Sequence, residues 1–303
     1  MKFLITGSTG FLGSTIVKAL AEEEVYTLGR QKCSISVDLK HLPRELVLPK
    51  VDFVIHIAGK AHVVPKTLSD GNDFFETNVV GTKNLLANLE NGRLPKTFVF
   101  ISSVAVYGLA TGNNISENSD LLAKDPYGRS KIKAESIIIE WAEKYAIKYL
   151  ILRLPLVAGI NPPGNLGSMI NGIKKGFYFN IGRGDAKKSI VMASDIGLLI
   201  KNLSKNMQSG IYNLTDGYHP SFLELSIHLS KQLGKSNPFI LPYFLAKILA
   251  LIGDIIGSRF PINSIKLNKI TSNLTFNDSK ARYELGWLPS FVLEDLKIIE
   301  SNQ

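Results

Sequence analysis

Cysteine is almost absent from this sequence: its 303 residues include one, Cys33. No disulfide can form within the chain and no zinc-finger spacing is available, which points to a reducing, cytoplasmic setting. The five histidines show no ligand spacing, so no metal site is expected. Tandem repeats and low-complexity tracts are lacking too, which excludes solenoids and disordered tails. Also missing is an apolar run of the roughly 20 residues that a membrane span needs. The nearest approach, Pro242–Ile256, is interrupted by Lys247 and Asp254 and weakened by Gly253 and Gly257. A buried or lobe-packing helix is the expectation there, with a membrane-surface helix as the alternative; no membrane partner is expected. Met1–Ile5 runs at once into Thr6 and Gly7, too early for a secretory apolar segment, and reads as a first strand.

Negative charge is in short supply: the formal net charge is +9 and the pI about 9.4. The lysines and arginines are scattered, apart from pairs such as Lys174-Lys175 and Lys187-Lys188, and no aromatic residues interleave them in a stripe. No nucleic-acid partner is therefore expected. A lysine-rich solvated surface is, and it would also draw an anionic substrate.

What is present is an alternation of strand and helix signals. Apolar runs at Lys2–Thr6, Val25–Leu28, Val51–Ile57, Thr97–Ser102 and Tyr149–Leu154 are separated by helical stretches at Ser14–Glu23, Asp73–Glu90 and Tyr127–Tyr145. That pattern predicts an α/β fold, a doubly wound parallel sheet of Rossmann type. After Leu154 the pattern loosens. Ser189–Lys201 and Ile211–Leu214 look like a return to the first domain, and helices near Ser221–Leu233 and Pro242–Ile256 like a smaller lobe. The expected division is a dinucleotide-binding domain of 1–155 plus about 188–215, and a C-terminal substrate lobe of 156–187 and 216–303.

Thr6–Gly13 follows the first strand and opens a helix. Gly7 and Gly10 let backbone approach a pyrophosphate, Gly13 lets helix pack on strand, and the helix N-terminus offers free N–H groups. NAD or NADP is the expected cofactor. The second strand ends Leu28-Gly29-Arg30, without the acid that binds the ribose hydroxyls of NAD, so Arg30 tips the expectation toward NADP. Asp38, beside Leu39, is placed to reach the adenine. Tyr127 and Lys131, four apart, share a helix face. A free phenol near pKa 10 is a poor base. A fixed ammonium and a nicotinamide cation would favour the phenolate and make Tyr127 an acid/base. Ser102 and Ser103 end the strand 24 residues upstream of Tyr127, counted to Ser103.

Taken together, Thr6–Gly13, Ser102–Gly108 and Tyr127–Lys131 resemble the extended short-chain dehydrogenase/reductase family, of the NAD-dependent epimerase/dehydratase type typified by UDP-galactose (UDP-glucose) 4-epimerase. The resemblance spans nearly the whole chain. It implies catalytic roles for Ser103, Tyr127 and Lys131. It implies a cofactor site of Gly7, Thr9, Gly10, Phe11, Leu12, Gly13, Arg30, Asp38, Leu39, Ala58, Gly59, Lys60, Asn78, Ser102, Leu154, Pro155 and Val157, together with Tyr127 and Lys131. For a substrate it implies Ser103, Val104, Asn165, Leu166 and Lys188. A homodimer is what the family implies. Phe276–Ala281 through Leu285-Gly286-Trp287 resembles its C-terminal signature.

Four positions depart from the pattern. Sugar 4,6-dehydratases carry an Asp-Glu pair where this chain has Val104 and Ala105, which exchange no protons. The 4-epimerase asparagine is Leu156 here, and the arginine that clamps the diphosphate is Lys188. The expected function is thus a UDP-sugar 4-epimerase using reversible hydride transfer at sugar C4. The alternative is an NADPH-dependent nucleotide-4-keto-sugar reductase, favoured by Arg30 and Leu156. A non-catalytic NADP-binding sensor is a weaker alternative, since it would need no Ser103, Tyr127 and Lys131 together.

Overall fold

A computed structural model describes residues 1–61, 68–203, 208–257 and 262–298. Short apolar runs rich in β-branched and aromatic residues form β1 (Lys2–Thr6), β2 (Glu24–Gly29), β3 (Ile35–Ser36), β4 (Phe53–His56) and β5 (Thr97–Ser103). Further on come β6 (Gly112–Ile115), β7 (Lys148–Leu154), β8 (Leu156–Ala158), β9 (Phe179–Ile181), β10 (Ile190–Met192) and β11 (Gly210–Asn213). The last two strands are β12 (Phe239–Leu241) and β13 (Leu274–Phe276). The main sheet has seven strands in the order β11-β7-β5-β4-β1-β2-β3, every neighbouring pair parallel. The order reverses between β1 and β4, and ligands of such sheets bind at the carboxyl ends of strands beside that reversal.

Parallel strands need crossovers, and helices supply them: α1 (Phe11–Ala19), α2 (Leu68–Phe75), α3 (Gly81–Asn91) and α4 (Pro126–Lys144). Side chains alternate along each strand, so the sheet divides its apolar residues between two layers. Phe3, Ile5, Phe53, Ile55, Val99 and Leu152 pack one way. Leu4, Val54, Phe98, Phe100 and Ile151 pack the other. The fold is the Rossmann-type α/β sandwich that the strand–helix alternation predicts.

The remaining α-helices among the described residues are α5 (Gly164–Lys174), α6 (Ala193–Lys201), α7 (Phe222–Gln232), α8 (Tyr243–Ile256), α9 (Ser264–Thr271), α10 (Ser279–Leu285) and α11 (Val292–Asp295). Helix α6 packs on α1, against the main sheet, while α5 and α7 share a separate core around Leu166, Ile170, Leu225 and Leu229. Three two-stranded parallel pairs, β8 with β10, β9 with β12 and β6 with β13, lie outside the main sheet.

Two expectations from the sequence need correction. The helix expected over 73–90 is interrupted: Glu76–Val80 forms a π-helical turn between α2 and α3. Such a turn inserts a residue into the helical ladder and re-aims the side chains beside it; here it carries Asn78. The second concerns α8, which packs on the lobe, one of the two expected outcomes, but is not a buried helix. Only Ala246, Ala250 and Gly253 are buried, while Phe244, Ile248, Leu251 and Ile255 stand 63%, 52%, 52% and 87% exposed. Apolar composition indicates that a helix can be buried. It does not say which face is turned inward, and here the small residues are.

The strand ends are fastened by hydrogen bonds as well as by apolar packing. Thr82 donates its hydroxyl proton to the Asn78 carbonyl (2.7 Å), so its oxygen accepts from His56 Nε2 (2.8 Å). His56 Nδ1 then accepts from the Thr6 hydroxyl (2.7 Å), whose oxygen receives the N–H groups of Ile57 and Ala58 at 3.2 Å. The network fixes the neutral Nε2–H tautomer. Burial, aided by the nearby Lys131 charge, pulls the His56 pKa from 6.5 to about 3.

Two outcomes are expected. An ideal Cβ on Gly13 would lie 2.0 Å from the Gly7 carbonyl oxygen, a backbone atom with no side-chain freedom to yield. Gly13→Ala should therefore cost about 1–3 kcal/mol or more of stability, read by urea unfolding, and weaken nicotinamide dinucleotide binding in the same protein. The second follows from His56. In the unfolded chain it takes up a proton near 6.5, in the folded one near 3. The stability its neutral form provides is complete above 6.5 and is lost as pH falls toward 3. Its share of that loss between pH 8 and pH 5 should be about 2 kcal/mol. In His56→Gln that part of the pH dependence should be gone.

Candidate active site

The glycine turn after β1 is as tight as its sequence implies. Gly7 has φ +73°, and a Cβ there would lie 2.7 Å from the Ala58 nitrogen. Gly10 caps α1 with no side-chain hydrogen bond, and its amide donates to the Gly7 carbonyl at 3.1 Å. The helix begins at Phe11, directly behind the turn, rather than at Ser14. Its first-turn N–H groups face the carboxyl ends of the strands without a capping side chain, and this is the geometry that receives an anionic diphosphate. The residues present therefore fit a dinucleotide: a backbone cradle that admits no Cβ, opening onto the β1/β4 reversal.

Across that reversal lies α4. Pro126 occupies its first turn, and Asp125 caps it by accepting the Gly128 N–H at 3.0 Å. A Cβ on Gly128 would lie 2.8 Å from the Ala105 carbonyl oxygen, so glycine lets the helix start press against the turn that follows β5. This brings Tyr127 to Ser103. The Ser103 hydroxyl accepts the Ala105 N–H (3.2 Å) and is close enough to the Tyr127 phenol to lower its pKa. Lys131, one turn further, is buried; its Nζ donates to the Ile101 carbonyl (2.8 Å) and lies 4.4 Å from the centre of the Phe100 ring.

The electrostatics differ in part from the sequence expectation. Burial raises the Tyr127 pKa, the Ser103 hydroxyl opposes that rise, and the nearby Asp125 charge adds to it. The phenol is thus a proton donor at rest, not a phenolate. Burial also lowers the Lys131 ammonium to about 8, with Glu135 acting in the opposite sense. At neutral pH it remains a cation close to its titration point.

Asn78, turned inward by the π-helical turn, ties three elements together. Its Oδ1 accepts the Lys60 N–H (2.7 Å). Its Nδ2 donates to the Lys60 carbonyl (3.1 Å) and to Ser130 Oγ (2.9 Å), while Ser130 donates to the Tyr127 carbonyl (2.7 Å). Gly59 is pressed against this group, since a Cβ there would sit 2.9 Å from Asn78 Oδ1 and 3.5 Å from Lys131 Nζ.

Beneath the site is an ion pair that sequence reasoning missed. Arg153 on β7 and Glu135 on α4 are both buried and meet at 2.7 Å. Ser102 donates to the same carboxylate, and Arg153 Nη1 donates to the Tyr107 hydroxyl (3.0 Å), which in turn donates to Asn213 Oδ1 (2.8 Å). A charged residue inside the otherwise apolar run Tyr149–Leu154 was the available signal, because an unpaired charge would not be buried.

Other expected site residues are placed as follows. Arg30 is exposed at the end of β2. Asp38 accepts the Lys40 N–H (3.0 Å), and Leu39 is buried against α3. The Lys60 side chain pairs with Asp73, which Lys40 and Lys60 together hold at about 2. Thr9 is exposed beside Gly10, and Leu12 is buried in α1. Leu154 belongs to the main core, with Phe11 and Val157 packed on it. Pro155 is half-buried between β7 and β8, and Val104 is half-buried in a short 3₁₀ turn. Asn165 is exposed at the start of α5, whereas Leu166 faces the lobe core. Lys188 does not project freely: its Nζ donates to the carbonyls of Lys269 (2.9 Å) and Ser272 (2.7 Å), and burial pulls it down to about 8.

The lobe also holds a cavity of about 470 Å³ lined by Tyr178, Asn180, Arg183, Asp185, Tyr243 and Asn268, among others. Asn180 is buried and its Oδ1 lacks a partner among the described residues. Sequence reasoning did not single out this segment. Its signal was the turn Gly182-Arg183-Gly184-Asp185 directly after a strand, with both glycines at positive φ.

Comparison with known proteins agrees with this geometry. The family model for the NAD dependent epimerase/dehydratase family matches residues 3–214. Among curated relatives, the N-acetyl-alpha-D-glucosaminyl-diphospho-ditrans,octacis-undecaprenol 4-epimerase of Escherichia coli O157:H7 is 26% identical, over 96% of this chain and 91% of its own length. A UDP-glucose 4-epimerase of Vibrio cholerae is 26% identical, over 96% and 92%. Among solved structures, the UDP-glucuronic acid 4-epimerase of Bacillus cereus, in complex with UDP-glucuronic acid and NAD, superposes with a TM-score of 0.74 at 20% identity over 98% of this chain and 96% of that one. RMD of Pseudomonas aeruginosa, complexed with NADPH, superposes with a TM-score of 0.72 at 22% identity over 97% and 96%. With its Rossmann-type sheet, glycine turn and Ser103, Tyr127 and Lys131 gathered at the strand ends, the chain belongs to the NAD dependent epimerase/dehydratase family and is an NAD(P)-dependent enzyme.

Proposed function

We propose that the chain is a UDP-sugar 4-epimerase acting at sugar C4. The observation that carries this reading is Tyr127 placed beside Ser103 at the carboxyl end of β5, with Lys131 one helical turn away. Gly7, Gly10, Gly13 and the N-terminus of α1 would hold the diphosphate of the cofactor, and Lys131 and Asn78 its nicotinamide half. When bound, the cofactor supplies the hydride acceptor and donor. Ser103 holds the reacting oxygen, and Tyr127 takes the hydroxyl proton as the carbonyl forms and returns it as the carbonyl is reduced. Burial makes the phenol resist ionisation, and the Ser103 hydroxyl beside it opposes that rise and lowers the cost of the phenolate. Val104 and Ala105 leave no acid beside Ser103, which argues against elimination from the ring. The cavity at Tyr178–Ala186 is of a size for the nucleotide end of the substrate.

A second reading is favoured by Arg30, exposed at the end of β2 where an NAD site has an acid. It is an NADPH-dependent reductase of a nucleotide-4-keto-sugar, using the same three residues once rather than twice. Here the resting phenol would already be the required proton donor.

The test uses purified protein with UDP-sugars, a nucleotide-4-keto-sugar and a polyprenyl-diphosphate sugar, the last because the Escherichia coli relative is named for such a compound. Interconversion of C4 epimers without net cofactor use supports the first reading. Stoichiometric NADPH consumption with the 4-keto-sugar replaces it with the second. Tyr127→Phe should lower kcat roughly 10²–10⁴-fold and leave cofactor affinity within a few-fold. Undiminished turnover in that variant would remove Tyr127 from the chemistry under either reading.

A further inference from the structure

Helix α8 carries two apolar stripes at helical spacing. Ala246, Ala250 and Gly253 form one, which is buried. Phe244, Ile248, Leu251 and Ile255 form the other, with 63%, 52%, 52% and 87% of their surface exposed. Small side chains thus face the protein and large ones face out, the reverse of a helix built to be covered by its own chain. The exposed surface continues beyond the helix. Phe179 on β9 and Phe239 on β12 are register partners in a parallel pair and are 45% and 72% exposed. Ile265 on α9 is 77% exposed. Monomeric proteins rarely leave a large contiguous apolar patch exposed, and eight large apolar side chains of α8 are each 39% exposed or more.

Charge indicates what covers this face. Helices α8 and α9 together carry Lys247, Lys266 and Lys269 and a single acid, Asp254. That acid is committed to the junction: its carboxylate accepts the Ser264 N–H at 3.0 Å and the Ser264 hydroxyl at 2.5 Å. Lys247 lies on the exposed side of α8, where a long stem can lie along apolar surface and lift its ammonium to the edge. A second copy of the chain seated on the same face would set one net-positive surface against another. An anionic bilayer offers apolar depth to the isoleucines and phosphates to the lysines. The helix has 14 residues, about 21 Å of length, which suits lying in the headgroup plane. Among the described residues no helix is long and apolar enough to cross a membrane.

We infer that the outer face of α8, continued by Phe179 and Phe239, docks on an anionic lipid bilayer. Tyr243 and Phe179 belong both to this face and to the lining of the 470 Å³ cavity, so docking sets the cavity rim at headgroup level. The inference does not depend on which sugar is turned over. Its test is read without substrate, so it stands or falls apart from the proposed activity.

The experiment is flotation of the full chain with vesicles of about two parts phosphatidylcholine to one part phosphatidylglycerol, and with phosphatidylcholine alone, at low and high salt. The wild type should float with the anionic vesicles, less so at high salt, and weakly with the neutral ones. A Phe244→Glu/Ile255→Glu double variant should lose at least about tenfold in partitioning, with an unchanged melting temperature and unchanged turnover of a water-soluble substrate. Lys247→Glu should weaken binding to the anionic vesicles only. Wild-type protein left in the aqueous fraction, or a double variant that floats as well as the wild type, overturns the inference. So does a wild-type dimer that the double variant splits while neither protein floats.

Discussion

One line of buried hydrogen bonds joins the cofactor turn to the catalytic helix, and the rest of the site depends on it. It starts at Thr6, the last residue of β1, and passes through His56 at the end of β4 to Thr82 and the Asn78 carbonyl. From the Asn78 side chain it continues through Ser130 to the backbone of Tyr127. Along this line each hydroxyl and ring N–H has one acceptor and the Asn78 amide points one proton at Ser130, so the direction of every proton is determined. A buried network of this kind is costly when any member is unsatisfied, which makes it a geometric constraint. Two strand ends, a helix start and the acid/base residue cannot shift independently.

A second network works from below. The Glu135–Arg153 pair connects the middle of α4 to β7, and Ser102 completes the carboxylate's coordination. Such a pair adds little net stability, because desolvation offsets most of the attraction. Its effect is on register: α4 can slide along the sheet only by separating two buried charges. Ser103 and Lys131 lie one residue and one helical turn from these anchors. The upper network therefore fixes where Tyr127 begins, and the lower one fixes the angle at which α4 presents it.

Much of this was legible before any coordinates, for physical reasons. Alternating strands and helices leave a parallel sheet few topologies, and Thr6–Gly13 has glycine where a Cβ would meet backbone. Tyr127 and Lys131 were legible by their spacing, since helix geometry is local. The misses are long-range. Nothing local requires Arg153 to meet Glu135, 18 residues earlier on another element. The π-helical turn at Glu76–Val80 was hidden because a stretch with helical periodicity does not reveal one inserted residue. Lys188 resembled a phosphate ligand by position, yet its ammonium is bonded to the carbonyls of Lys269 and Ser272, more than eighty residues away. The Tyr127 pKa moved against expectation because burial, which a sequence does not display, outweighs the nearby Ser103 hydroxyl.

The same limit explains α8. Composition marked it as apolar, and the usual inference from apolar to buried treats a helix as having a single relevant face. Two apolar stripes on one helix break that link, and side-chain size then decides which is turned inward. Close approach to the lobe selects Ala246, Ala250 and Gly253, because a large residue at those positions would hold α8 away from α9 and from Ile181. The large residues go outward by elimination. Yet a merely tolerated outer face drifts toward polar residues, since exposed isoleucine gains nothing from water. Phe244, Ile248, Leu251 and Ile255 keep helical spacing, a pattern that packing against the lobe does not require and that contact with another apolar phase does.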